Sequence, residues 1–157
     1  MSIALIDIKE CKKNSPKNRL EEIAIMVVSN RAIVKTYHVR IQDTWTVDKS
    51  LDFISKMFRR HNIRKCYVLD YTTIDSIKGC ITSNHYSGYL NNRVKHMIPV
   101  KGYLIRKSRL LKDKTVNLTF DDLLTAHNLP LNYDNLEDKL KSLYDLCCLV
   151  VGETQYN

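Results

Sequence analysis

The sequence predicts an α/β domain, a mixed sheet of about five strands flanked by helices, and three observations predict it. Apolar runs rich in β-branched residues fill the first third, at positions 3–8, 23–28 and 32–41. Segments of helical period then alternate with further short apolar runs. The composition, 44% hydrophobic and 27% charged over 157 residues, is that of a globular domain with enough chain to bury a core. No repeat, linker or low-complexity stretch divides residues 1–157, which read as one domain.

The elements follow in order. Residues 3–8 form a buried strand, and 23–28 and 32–41 a β-hairpin around the polar turn Ser29-Asn30-Arg31. Thr46 caps a helix carrying Val47, Leu51, Ile54 and Phe58. Residues 66–69 are a short strand, and Thr73 is placed to cap a helix with Ile74, Ile77 and Ile81. Residues 98–104 read as a fifth strand, or a strand followed by a turn. Thr119 and Asp122 stand at capping-box spacing before a short helix that Pro130 ends. Leu136, Leu140, Leu143, Cys147 and Val150 keep one face of a final helix over four turns.

Composition also narrows function. No apolar run approaches the roughly 20 residues of a membrane span. Met1-Ser2-Ile3 lacks a basic segment, so a secretory signal is not expected and an intracellular place, cytoplasmic or nuclear, is. Five scattered cysteines suit reduced, buried thiols. A net charge of +8 favours a polyanionic partner, nucleic acid first.

Three stretches carry the chemistry. Asp7-Ile8-Lys9 ends the run Ile3-Ala4-Leu5-Ile6. Asp70-Tyr71-Thr72-Thr73-Ile74-Asp75 follows Cys66-Tyr67-Val68-Leu69, and Tyr133-Asp134-Asn135-Leu136-Glu137-Asp138 opens the last helix. Together they resemble the three motifs of the DEDDh 3′–5′ exonucleases, the proofreading-subunit type of the ribonuclease H-like superfamily. That family has Asp-x-Glu first, a second motif ending in Asp, and a third of His, four residues, then Asp. The element order matches that fold along nearly the whole chain, best from Asn117 to Leu146.

The resemblance implies a site at Asp7, Asp75 and Asp138, with Lys9 in place of the Glu and Tyr133 in place of the His. Such enzymes hold two Mg²⁺ or Mn²⁺ ions on clustered carboxylates, one generating hydroxide and the other stabilising the leaving oxygen. Asp7 and Lys9 share a strand face, so an ammonium among the carboxylates removes a ligand and can neutralise Asp7 or Asp138. Glu10 points to the opposite face. A sister group places Tyr four before its last acid, which leaves Tyr133 with Glu137 as an alternative register. No metal or other cofactor is expected; Mg²⁺ or Mn²⁺ on Asp7, Asp75 and Asp138 is the expectation if the site works.

Other residues carry less. Cys80, His85 and His96 fit no compact zinc spacing. Trp45, after Asp43-Thr44, could stack a base or pack its loop, and His127 suits a helix end. Arg59, Arg60, Arg64 and Lys65 flank the short strand, and Arg93, Lys95, Lys101, Arg106, Lys107, Arg109, Lys112 and Lys114 crowd the later segment. Tyrosines interleave with them, so Arg93 to Lys112 are candidate phosphate contacts. Three functions stay open: a degenerate exonuclease-like domain binding RNA or single-stranded DNA, a protein-interaction or self-association module, and an active metal-dependent exonuclease.

Overall fold

In strand β1 (Ser2–Glu10), Ala4 and Ile6 face one side of the sheet and Leu5 and Asp7 the other, the two-residue period of a strand covered on both faces. The computed structural model describes residues 2–11, 19–41, 45–112, 117–131 and 133–155, the last four by backbone alone. β1 pairs antiparallel with β2 (Leu20–Ser29), which pairs antiparallel with β3 (Ala32–Arg40). On its other side β1 runs parallel to β4 (Ile63–Val68), and β4 to the two-residue β5 (Ile98–Pro99). The order is β3-β2-β1-β4-β5.

Asn30 and Arg31, at φ 53° and 64°, make the two-residue left-handed turn that suits the twist of a β2–β3 hairpin. β3 is an outer strand, exposed over its first four residues. Its register shifts where Val28 pairs with Ile33 and Val27 with Lys35, leaving Val34 as a bulge.

Helices cover both faces. α1 (Val47–Arg60), α2 (Tyr71–Ser83) and α3 (Tyr89–Val94) pack Leu51, Phe58, Ile77 and Leu90 against Ile6, Ile23 and Ile25. α4 (Lys101–Lys107), α5 (Phe120–Ala126) and α6 (Leu136–Gln155) pack Leu104, Leu123, Leu140 and Leu143 against Leu5, Ala24 and Met26. Thr46 caps α1, and Thr119 and Asp122 form the capping box of α5.

Three expectations change. β5 is two residues long, because Pro99 has no N–H for a ladder and Val100, Leu104 and Ile105 bury together at helical spacing in α4. Asp70 rather than Thr73 caps α2, its carboxylate accepting from the Thr72 N–H at 3.0 Å. α5 stops at Ala126, and Asn128 turns left-handed at φ 56°, ahead of Pro130. Asp43, Thr44 and Lys114 lie outside the described residues. Among the described residues no helix is long and apolar enough to cross a membrane.

Candidate functional site

β1 and β4 run parallel, and open α/β sheets bind ligands beyond the carboxyl ends of such strands. Asp7 lies toward that end of β1, buried, in a crevice of about 10 Å³ lined also by Leu69, Phe120, Lys139 and Leu143. One carboxylate oxygen accepts the Ile8 N–H at 2.9 Å and the Thr73 hydroxyl at 3.5 Å. The other lies 3.3 Å from the Lys139 ammonium. Burial pushes the Asp7 carboxyl above its ordinary range, and Lys139, the Ile8 N–H and Thr73 pull it back only in part.

Helix geometry decides which side chains reach Asp7. Asn135 caps α6, its side-chain oxygen accepting the Asp138 N–H at 2.8 Å. Lys139 is then three residues from Leu136 and four from Leu143, on the apolar face, while Asp138 is exposed. On α2, Thr73 shares the buried face of Ile77, four residues on. Asp75 is two residues from each, about 200° around the helix, and is exposed. The structure therefore brings Thr73 and Lys139 to Asp7 and turns Asp75 and Asp138 outward.

The expected pairing of Lys9 is corrected. Lys9 is more than half exposed, and its ammonium lies 3.7 Å from Glu21, at the β-bulge that shifts β1 against β2. The cation at Asp7 comes from position 139 instead. Glu10 does turn to the opposite face, where it accepts the Ser76 hydroxyl at 3.2 Å.

Tyr133 stands beside the crevice, its ring 5.8 Å from that of Phe120. Its hydroxyl donates to Asp121 at 2.7 Å, which with burial and the nearby charges of Asp121 and Asp7 pushes its pKa to about 12. Glu137, the alternative partner of Tyr133, instead lies 3.9 Å from His38, which is 3.3 Å from Glu22. Among the described residues no group of three or more His, Cys, Asp or Glu side chains is placed to hold a metal ion, and His85 and His96 are exposed.

The basic candidates spread over several elements. Arg93 of α3 donates to the Tyr89 hydroxyl at 2.6 Å and lies 4.9 Å from the centre of that ring, with Arg59 of α1 at 4.5 Å. Lys95 is exposed beyond α3, whereas Lys101, Arg106 and Lys107 belong to α4, and Arg109 and Lys112 to the loop after it. Trp45 packs 6.3 Å from Phe53 under the Lys49 ammonium, and buried His127 is 2.7 Å from the Ser108 hydroxyl.

Lys139 and Asp121 are the site residues that motif reading passes over. The signal for Lys139 was present: it falls on the apolar stripe running from Leu136 to Leu143. Asp121 carried none, because its contact with Tyr133 depends on how α5 packs. No protein-family model and no curated protein matches the chain.

Proposed function

We propose that this chain is a ribonuclease H-like, exonuclease-type domain that binds RNA or single-stranded DNA without hydrolysing it efficiently. The order of elements and the mixed five-strand sheet support the fold part of this reading. The observation that carries the loss of hydrolysis is the Lys139 ammonium 3.3 Å from Asp7. Two-metal hydrolysis needs several carboxylates converging on the ions. Here the residues do not fit: Asp7 already faces a cation, and Asp75 and Asp138 are exposed on other helix faces. Nucleic-acid binding is supported by the +8 charge and by the two guanidiniums on Tyr89, an arrangement that offers phosphate contacts beside an aromatic ring.

End-labelled single-stranded RNA and DNA, incubated in Mn²⁺ and in chelator, test this. The expected result is full-length oligonucleotide retained in both, with an affinity that falls steeply as salt rises. Arg59→Glu with Lys107→Glu should weaken binding about equally for unrelated sequences, since phosphate contacts carry little sequence information. Shortening from the 3′ end that vanishes in Asp7→Ala overturns the loss of hydrolysis. An absence of binding at low salt overturns the rest.

A further inference from the structure

On the same sheet face as Asp7, but toward the amino end of β1, a cleft of about 760 Å³ opens between α4 and α6. Leu5, Val28 and Tyr67 form its floor, and Ile98, Tyr103 and Val151 stand at its mouth, each between 37% and 40% exposed. Its lining includes two cations, Arg31 and Arg106, and no Asp, Glu, Lys or His. Arg31 belongs to the wall through its backbone, because the Tyr144 hydroxyl of α6 donates to its carbonyl at 2.8 Å.

Size and lining together select a chemistry. The volume falls in the roughly 300–1,000 Å³ range of small-molecule sites. Apolar and aromatic walls favour an aliphatic or aromatic body, whereas a chain of phosphodiesters would lose hydration there without replacement. Guanidiniums stay protonated and meet a carboxylate as a fork, and no acid in the lining opposes an incoming anion. We infer that the cleft binds an amphipathic carboxylate, an aliphatic chain with one terminal carboxylate held by Arg31 or Arg106. This site is separate from the crevice at Asp7 and does not depend on nucleic-acid binding.

Calorimetric titration of the whole chain with decanoate and with decanol, both below their aggregation limits, tests the inference. Decanoate should bind one to one, and decanol at least about tenfold more weakly, the factor expected for a hydrogen bond between charged groups. Arg31→Asn, which tolerates the left-handed turn, combined with Arg106→Gln should remove that difference. Cys148→Trp, placed at an exposed lining position, should block both ligands while leaving oligonucleotide affinity unchanged. No decanoate binding, equal binding of both ligands by the wild type, or binding indifferent to Cys148→Trp overturns the inference. So does a concentration-dependent dimer that Tyr103→Glu dissolves, which assigns the cleft to a second copy of the chain.

Discussion

α6 borders both spaces on its face of the sheet, and its two halves treat them differently. Near its start, Lys139, Leu140 and Leu143 close over Asp7 and leave about 10 Å³, room for about one water. Further on, Tyr144, Cys147, Cys148 and Val151 border about 760 Å³ of open cleft. The first space is where the motifs point, and the protein's own ammonium fills it. The second has no motif and holds the volume. A site read from sequence order alone is thus placed where the family keeps its chemistry, whereas this chain keeps its open space about two helical turns away along the same helix.

Lys139→Glu should separate the two halves most strongly. It sets a second carboxylate against buried Asp7 and should cost about 3–5 kcal/mol in denaturant unfolding. Millimolar Mn²⁺ should then raise the melting temperature of the variant and not of the wild type, since two acids would share a cation. A variant as stable as wild type would show that the crevice is looser than described. Leu104→Ala, in the cleft wall, should cost about 2 kcal/mol, the low end for a buried leucine, because its cavity opens into existing space. A loss above about 4 kcal/mol would mean a tighter cleft.

Tyr133→Phe should cost about 0.5–1 kcal/mol through the lost bond to Asp121 and remove the phenol that ionises near pH 12. Asp7→Asn gives a slope. The folded carboxyl titrates above the ordinary 3.8, so the native state holds this proton more tightly than the unfolded chain. Stability from this group is present below 3.8 and lost as pH rises through the folded value. The urea midpoint of wild type minus that of Asp7→Asn should therefore fall across that window; a rise would mean that Lys139 outweighs burial. Lys9→Glu should be the smallest effect, within about 1 kcal/mol, because its partner Glu21 is at the surface.

The strands, the two caps at Thr46 and Thr119 and the long helix were legible because each is a local pattern of period, cap and turn residue. β5 and α4 were not, since 98–104 is apolar enough for either period and Pro99 decides between them only in the context of the sheet. Asp7 was placed correctly as a buried strand acid. Its partners were not: motif spacing counts residues, whereas contact across helices depends on rotation, and one residue turns a helix by about 100°. That separates Asp138 from Lys139.

The bulge at Val34 has a consequence for how copies of the protein meet. An outer strand nine residues long offers a row of backbone donors and acceptors on which another chain can template itself. The extra residue at Val34 breaks the spacing of that row, and exposed Lys35 and Arg40 set like charges against any identical edge. Colloidal solubility thus rests on a one-residue irregularity and two cations. Deleting Val34 together with Lys35→Val would smooth the edge into an apolar template and turn a dispersed protein toward fibrous aggregation.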